Sequence, residues 1–404
     1  MAIRRSIGGS FRSVWLAVMV SSAGDGMFLT AFPLLAAILT RDPVLIAGVT
    51  IASRLPWLLF SLFTGALADR MDRRKLMIGA DLIRLVIVGL LGAAILTDTV
   101  NIWMLYASAF MLGSCETLHV NAAQGLIPAI VKPEDLLEAN ARFSSGQIVA
   151  AQFIGPPLGV VMFNASMSLP FLADAATFAG SAALIATVPN EHSVAPPTTK
   201  IFADIKEGLR YTRDTLSLRR LTEILAVINF FYFAANSLLV LYNEDLLGGN
   251  KATFTALSVG AASGTVASRF FLEKITYRLG TTRTLEVSLW AWASATVGLA
   301  IATNPITAIT SHVILGIGSG WWIALNTTLR QQITPTRMLG RMNAVSRTVT
   351  WGIVPFGALF GGIAARIFGL RGPFIISAIV MVSYAIFSRR LLKPVREAVK
   401  NLQQ

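Results

Sequence analysis

Residues 65–76 read GALADRMDRRKL, a short basic stretch set between two long apolar runs. The run before it covers residues 43–68, and the run after it covers residues 76–97. Each is long enough to cross a hydrocarbon core of about 30 Å as a helix that rises about 1.5 Å per residue. The stretch therefore predicts a helical hairpin in a bilayer, with a charged turn in the aqueous phase.

Apolar runs of this length recur along the whole chain of 404 residues, of which 54% are hydrophobic and 14% are charged. A soluble domain carries about 25% charged residues, so a soluble helical protein is excluded. We predict an all-α membrane protein with twelve transmembrane helices. The predicted spans are residues 13–38, 43–68, 76–97, 102–128, 143–165, 168–188, 221–246, 252–272, 284–303, 306–329, 342–365 and 372–389.

The 34 Lys and Arg residues are divided unequally between the two sides of this arrangement. With the N-terminus in the cytoplasm, 29 of them fall in cytoplasmic segments, 4 in outer loops, and Arg54 inside a span. Cytoplasmic loops of membrane proteins are enriched in Lys and Arg. We therefore expect a multi-pass protein of the bacterial inner membrane with both termini in the cytoplasm. The net charge of +13 then reflects topology and contact with anionic lipid, not nucleic-acid binding.

An internal repeat relates the two halves of the chain at a constant offset of 203 residues. Identical residues at this offset are Gly113 and Gly316, Leu136 and Leu339, Asn140 and Asn343, Ala141 and Ala344, Gly159 and Gly362, Pro170 and Pro373, and Phe171 and Phe374. The repeat predicts two pseudo-symmetric six-helix bundles, in residues 1–188 and 221–404, the second ending in a short cytoplasmic tail. Transporters built from such repeats bind substrate near the bilayer midplane, between the halves.

A polar linker, residues 189–220, joins the two predicted bundles. Ile201, Ile205 and Leu209 recur within it at a spacing of four residues, which indicates an amphipathic helix. This helix either lies at the cytoplasmic membrane surface or belongs to a solvated linker.

The stretch quoted first resembles the signature loop of the major facilitator superfamily, GxLaDrxGRkxxl. The resemblance implies that Gly65 lets two helices pack closely and that Asp69 caps a helix or pairs across an inner gate. It departs at Asp72, where the family usually has Gly, so the turn is expected to differ. In the family, a basic residue at the start of the eleventh helix often meets the signature Asp, which points to Arg341 or Arg347. The basic residues expected to anchor the loop in the cytoplasm are Arg70, Arg73, Arg74 and Lys75.

The fifth predicted helix contains Gly146, Gly155, Pro156 and Gly159, which resemble the GxxxGPxxGG motif of antiporters in that superfamily. The pattern predicts a glycine face for close packing and a bend at the prolines. The segments SSAGDGMFLTAFPLL and LIPAIVKPEDLLEANARFSSG further resemble the branch that contains the enterobactin exporter and multidrug and macrolide efflux proteins. This resemblance implies proton-driven export.

Three charged residues inside predicted spans converge near one depth, and charge within a span is costly and commonly functional. Asp25 and Glu116 lie about 18 Å from the cytoplasmic ends of their spans and Arg54 about 21 Å, at about 1.5 Å per residue. His119 lies one turn from Glu116. We expect Asp25 and Glu116 to bind protons, cationic substrate or both in competition. The alternative is a static ion pair of Arg54 with one of them, and for His119 a neutral packing role.

Aromatic and amide side chains within the predicted spans are candidates for a partly polar substrate cavity. They are Phe28, Phe32, Gln147, Asn229, Tyr232, Phe233, Asn236, Trp321, Trp322 and Asn326. Ordinary helix packing is the alternative for each of them. Asp174 is expected to be structural.

Together these features predict a monomeric secondary active transporter, a proton-coupled exporter of amphipathic drugs or a siderophore-like metabolite that works by alternating access. Uptake or facilitated diffusion of a polar nutrient is the alternative within transport. An enzyme or sensor is disfavoured because His119, His192 and His312 lie in separate segments and suggest no metal site. No Lys follows a Gly, so a GxxxxGK phosphate loop is absent. We therefore expect no cofactor, with the proton gradient as the energy source.

Overall fold

A computed structural model describes residues 8–189 and 201–403, which are helical over most of their length. In these ranges eight helices are long and apolar enough to cross a membrane, and a ninth span results if the bent pair Leu216–Asn236 and Leu239–Leu246 is one. The other three predicted spans coincide with Ile102–Ile130, Lys251–Leu279 and Gly372–Ile386, which do not meet that criterion as full-length spans. The all-helical membrane fold is confirmed, and the count of twelve spans stays a prediction.

Contacts divide the chain into two compact units, and unit 1 comprises Met1–Leu39 and Ala52–Thr198. Its helices are α1 (Gly9–Leu39), most of α2 (Pro43–Arg70), α3 (Arg73–Leu96), α4 (Ile102–Ile130), α5 (Leu136–Ile148, Val149–Ile154 and Gly155–Ala165) and α6 (Leu169–Ala186). Helix α6 packs against both α1 and α3, and α3 also packs against α4. An apolar core that includes Val14, Met77 and Ile185 fills the space between these helices.

Unit 2 comprises Thr40–Ile51 and Thr199–Gln404. Its helices are the linker helix (Ile201–Asp214), α7 (Leu216–Asn236, continued by Leu239–Leu241 and Tyr242–Leu246), α8 (Lys251–Leu279), α9 (Thr281–Ile301), α10 (Pro305–Ile333), α11 (Thr336–Gly352 and Val354–Phe368), α12 (Gly372–Ile386) and the C-terminal helices (Ser388–Leu391 and Lys393–Gln403). The first turns of α2 therefore pack with unit 2, although the rest of α2 packs with unit 1.

The linker helix packs against α11. A Cβ on Gly208 would lie 2.8 Å from the carbonyl oxygen of Arg341, and the Arg341 guanidinium forms an ion pair with Glu207. This part of the predicted 189–220 linker is thus integrated into unit 2, whereas residues 190–200 lie outside the described ranges.

The repeat is visible in the helices themselves. Helix α10 begins and ends 203 residues after α4, at Pro305 and Ile333. Both helices have an Asn N-cap, because Asn101 accepts from the backbone N–H of Trp103 and Asn304 from that of Thr307. The aligned residues Gly113 and Gly316 both face a backbone carbonyl of the neighbouring helix, Ser53 in α2 and Ala261 in α8. Equivalent glycines thus allow α4 to pack closely on α2 in unit 1 and α10 to pack closely on α8 in unit 2.

Helix α5 packs its glycine face against α1. A Cβ on Gly155 would lie 2.6 Å from the Cα of Gly26, and one on Gly159 would lie 2.9 Å from the Cα of Met27. A π-helical turn, Val149–Ile154, precedes the prolines. Proline lacks the backbone N–H that an α-helix requires, so a locally wider turn is expected before Pro156 and Pro157.

We expect Gly155→Ala to lower the stability of the protein by about 1–3 kcal/mol, because an overpacked interface forces the backbones apart. The measurement is the thermal unfolding midpoint in detergent. Gly89→Ala is the matched control, since a Cβ at Gly89 in α3 meets no atom within 4 Å. Equal midpoints for the two variants would contradict the close contact of α1 with α5.

Candidate functional site

Seven ionisable side chains from five helices of unit 1 form a buried or half-buried cluster. They are Asp25 from α1, Arg54 from α2, Asp81 and Arg84 from α3, Glu116 and His119 from α4, and Asp174 from α6. Charge in a membrane span is costly and needs compensation, and ionisable residues there are functional candidates. This cluster is therefore the candidate functional site.

Arg84 is at the centre of the cluster. It is 5% exposed, and its charge acts on Asp25, Glu116 and Asp81. Its guanidinium carbon lies 5.0 Å from the centre of the Phe178 ring, a cation–π distance. The Nε atom has no hydrogen-bond partner. Arg84 is one of the 29 basic residues assigned from the sequence to cytoplasmic segments, within residues 70–84. That assignment is wrong, because the side chain is enclosed by the helices of unit 1.

Asp81 is fully buried one helical turn before Arg84. Its Oδ2 accepts a hydrogen bond of 2.6 Å from the Ser181 hydroxyl. Its Oδ1 lies 3.5 Å from Nε2 of His119, and neither of these two atoms has a hydrogen-bond partner. The sequence analysis did not identify Asp81. The signal that could have identified it is the presence of an acidic and a basic residue, Asp81 and Arg84, three residues apart in an apolar run.

Glu116 is the ion-pair partner of Arg54, which the sequence could have paired with either Asp25 or Glu116. Its Oε2 lies 3.8 Å from Nη1 of Arg54 and accepts a 3.4 Å hydrogen bond from Nε1 of Trp57. Arg54 thus pairs with Glu116. Both side chains keep contact with solvent, at 22% and 39% exposure.

Asp25 lies on α1 between two glycines at which other helices approach closely. A Cβ on Gly24 would meet Asp174 and Thr177 of α6, while Gly26 faces α5. Asp174 is 1% exposed, accepts a 3.3 Å hydrogen bond from the Thr177 hydroxyl, and is affected electrostatically by Asp25. Asp25 and Asp174 therefore both lie where α1 meets α6. Among the described residues, no group of three His, Cys, Asp or Glu side chains is arranged to hold a metal ion.

The aromatic candidates of α1 pack beside this cluster. The rings of Phe28 and Phe32 stack with centres 4.5 Å apart, and both contact the ring of Phe171 on α6. Phe32 is buried, so it serves the α1–α6 contact, while Phe28 is half-buried. Gln147 is exposed on the first segment of α5.

Tyr232 and Asn236 line a small cavity within unit 2, together with His312 of α10. Its volume of about 20 Å³ accommodates about one water molecule. Asn229 donates a 2.7 Å hydrogen bond to the backbone carbonyl of Thr350 and is thus a helix-packing residue. The fourth α7 candidate, Phe233, packs against the ring of Trp351.

The α10 candidates lie in the interior of unit 2. Trp321 donates a 2.9 Å hydrogen bond to the Ser268 carbonyl, and Trp322 is 1% exposed. Asn326 is buried, with no partner for its Oδ1. The expectation that these three side chains line an open cavity is not met in this structure, because the same helix face packs against neighbouring helices.

The loop between α2 and α3 is built from helix-end interactions. The Asp72 carboxylate caps α3 by accepting from the backbone N–H groups of Arg74 and Lys75 at 3.0 and 3.3 Å. Arg73 donates to the carbonyls of Ala68 and Gly125 at 3.3 and 3.0 Å. A carboxylate at the start of a helix and cations near helix ends complement the helix dipole. Asp72 therefore supplies a side-chain cap to α3, which the glycine usual at this position in the family has no side chain to provide.

The other residues of the gating motif have different surroundings. Arg74 donates to the carbonyls of Ile185 and Ala186 at the end of α6, so it anchors the loop to a neighbouring helix. Arg70 is exposed, and a Cβ at Gly65 would meet nothing closer than 3.9 Å, so close packing does not require glycine there. The side chain of Asp69 lies outside the described part of the chain. The gate contact predicted for Arg341 or Arg347 therefore stays a prediction.

We expect Asp72→Ala to destabilise the protein by about 1 kcal/mol, and Asp72→Gly by only a few tenths, as for other N-cap residues. Thermal unfolding in detergent measures both, and Asp72→Asn, which keeps the cap, is the control. If alanine and asparagine gave the same midpoint, the capping role would be refuted.

A family model described as transmembrane secretion effector matches residues 6–403. Macrolide efflux protein A of Streptococcus pyogenes is 21% identical, over 93% of this chain and 94% of its own length. The multidrug efflux pump Tap of Mycolicibacterium fortuitum is 25% identical, over 95% and 96% of the two chains. The enterobactin exporter EntS of Salmonella typhi is 25% identical, over 88% and 86%.

Solved structures share the fold. A bacterial homologue of the human lysosomal transporter Spinster, in an inward-facing and occupied conformation, superposes with a TM-score of 0.73 at 14% identity, over 96% of this chain and 97% of that one. At this identity the likeness concerns the fold alone.

Proposed function

The chain belongs to the transmembrane secretion effector family of major facilitator transporters, and from this premise we propose that it is a proton-coupled exporter of amphipathic compounds. The observation that carries the proposal is the cluster of carboxylates and guanidinium groups within unit 1. Four carboxylates share two arginines in a membrane-spanning bundle, and such a group has a protonation state that depends on its surroundings.

Asp25 is the side chain best suited to exchange a proton with the substrate pathway. Its side chain is only partly buried, and it interacts electrostatically with Arg84. The adjacent glycines, Gly24 and Gly26, bring α1 close to α6 and α5. Burial favours the neutral form of a carboxyl group, whereas access to water or to a cation favours the charged form. A change of access between the two sides of the membrane would then load and release a proton in each transport cycle.

Export of amphipathic molecules is supported by the relatives, whose names record efflux of macrolides and of multiple drugs. A siderophore-like metabolite is a second candidate because of the enterobactin exporter. We propose that the protein lies in a bacterial cytoplasmic membrane as a monomer, with both termini in the cytoplasm. Its basic α2–α3 loop supports this orientation, since basic loops favour the cytoplasmic side.

The test uses purified protein in liposomes with an acidic lumen and a neutral exterior. A macrolide antibiotic, a lipophilic cationic dye and a catecholate siderophore are added outside in separate assays. An antiporter accumulates its substrate in the lumen as protons leave, and a protonophore abolishes the accumulation. Equal uptake of all three compounds with and without the pH gradient would refute proton-coupled antiport.

A further inference from the structure

Helix α9 has one face that is exposed from its first turn to its last. Trp290, Val297 and Ile301 lie on this face as exposed apolar side chains. An apolar face of a membrane-spanning helix that no other helix covers is in contact with lipid. Arg283 is exposed on the same helix seven residues before Trp290, so it extends this face to the start of α9.

Helix α12, which packs against α9, has a corresponding exposed face. Ile375, Ile379 and Ile386 recur on it at spacings of four and seven residues, and all three are exposed. The exposed Arg389 and Arg390 follow this face directly. Each of these two adjacent helices therefore combines an exposed apolar face with exposed arginine at one end.

Glu286 on α9 connects the two basic ends. Its Oε1 lies 2.5 Å from Nη2 of Arg396 in the C-terminal helix, and its Oε2 lies 3.9 Å from Nε of Arg389. Arg283 lies one helical turn before Glu286, a spacing at which side chains are neighbours on a helix surface. The start of α9 and the end of α12 thus meet at Glu286, with Arg283 and Arg389 both beside it.

The carboxylate of Glu286 leaves most donors of these arginines unused. Its short contact is with Arg396, whereas the side chain of Arg389 is 86% exposed and lies at the longer distance of 3.9 Å. Arg283 and Arg390 form no ion pair within the part of the chain that the structure describes. A guanidinium group has five N–H donors in a planar fork. Donors of all three arginines therefore remain available where the two apolar faces end.

We propose that this end of unit 2 binds one anionic phospholipid, whose phosphate contacts Arg283 and Arg389 and whose acyl chains lie along the exposed faces of α9 and α12. The guanidinium fork matches the geometry of phosphate oxygens and binds them bidentately. Tryptophan is typical of the headgroup region of a membrane, and Trp290 lies two turns from Arg283 on the same face. A soluble phosphate would use the arginines alone, whereas a phospholipid uses the arginines and both apolar faces.

Retention of basic residues on the cytoplasmic side accounts for the presence of arginine in this region. It does not require that the arginines continue two exposed apolar faces, or that one carboxylate joins the ends of those faces. The lipid site is also independent of proton coupling and of the exported compound, so failure of the pH-gradient assay would leave it unaffected.

The test measures the binding of defined lipids to the purified protein by native mass spectrometry. Phosphatidylglycerol and phosphatidylcholine with identical acyl chains are titrated separately into the protein in detergent, and the first binding event gives a dissociation constant. We expect phosphatidylglycerol to bind more than about fivefold more tightly. Arg283→Gln and Arg389→Gln should each weaken its binding about fivefold, which is the contribution of one basic residue near an anionic headgroup.

Arg366→Gln is the matched control, because Arg366 is an exposed arginine of α11 outside this site, and it should bind both lipids as the wild type does. Glu286 keeps Arg396 as its partner in Arg389→Gln, so this variant is expected to fold. Equal affinity of the wild type for the two lipids, or an equal loss in Arg366→Gln and Arg389→Gln, would overturn the site. Displacement of bound phosphatidylglycerol by millimolar glycerol phosphate would show that the arginines take a free anion and would contradict a lipid site.

Discussion

Asp25→Asn abolishes accumulation driven by a pH gradient, with an initial rate at least about tenfold below that of the wild type, or about 1.4 kcal/mol in the transport barrier. The substitution keeps the size of the side chain, so the packing of Gly24 against α6 and of Gly26 against α5 is retained. It removes the carboxyl group that can carry a proton to and from the partly exposed side of the cluster. A permanently neutral group at this position cannot couple export to the gradient.

The measurement is uptake of labelled macrolide into liposomes with and without an imposed pH gradient. Exchange of labelled for unlabelled compound at equal pH should persist in Asp25→Asn, because it does not require net proton movement. Asp98→Asn, a substitution at an exposed residue in the loop after α3, should behave as the wild type in both assays. A full gradient-driven rate in Asp25→Asn would show that Asp25 is not the coupling group.

Arg84→Gln should destabilise the protein by about 3–5 kcal/mol, which is typical when one partner of a buried ion pair is removed. Arg84 is 5% exposed and acts on Asp25, Asp81 and Glu116, so its loss leaves buried carboxylates without compensation. Those carboxylates are charged at alkaline pH and neutral at acid pH. The stability deficit should therefore be larger at high pH and smaller at low pH.

Thermal unfolding midpoints in detergent, measured across a series of pH values, test this expectation. Arg366→Gln is the matched control, since Arg366 is an exposed residue of α11, and it should change the midpoint little. A small deficit for Arg84→Gln that does not depend on pH would show that the carboxylates do not rely on this arginine.

The parts of the fold that could be predicted are those governed by local composition and by the repeat. Apolar runs of bilayer length located the helices, and the offset of 203 residues agrees with the bounds of α4 and α10. Asp25, Arg54 and Glu116 were identified because a charge in an apolar run is a local signal. Their partners are not local, and only the packing of α2 against α4 shows that Arg54 meets Glu116.

Arg84 was missed because a count of basic residues by topology assigns any cation near a loop to the cytoplasm, and its neighbour Asp81 was missed with it. Arg84 follows the basic loop closely in sequence, yet Ser181 and Phe178 of α6, about a hundred residues later, form part of its surroundings with Asp81. For Trp321 and Trp322 the sequence left a cavity position and ordinary helix packing open. A helical pattern shows which residues share a face, but not whether that face meets a cavity or another helix.

The two units differ in charge although they share a fold. At the offset of 203 residues, Glu116, His119 and Asp174 align with Ser319, Trp322 and Ser377. The hydroxyl of Ser377 donates to backbone carbonyls, and Trp322 fills the interior of unit 2. The ionisable groups are therefore concentrated in unit 1 at these positions, and unit 2 contributes packing at the equivalent ones.

We propose that export is exchanged for protons bound by the unit 1 cluster. Its most direct test is to load liposomes containing the protein with a macrolide antibiotic, dilute them into compound-free buffer at equal pH, and follow the lumenal pH with a trapped indicator. We expect the lumen to become more acidic as the compound leaves, and we expect Asp25→Asn to abolish this change. Efflux of the compound by the wild type with no change in lumenal pH, or with alkalinisation, would contradict it.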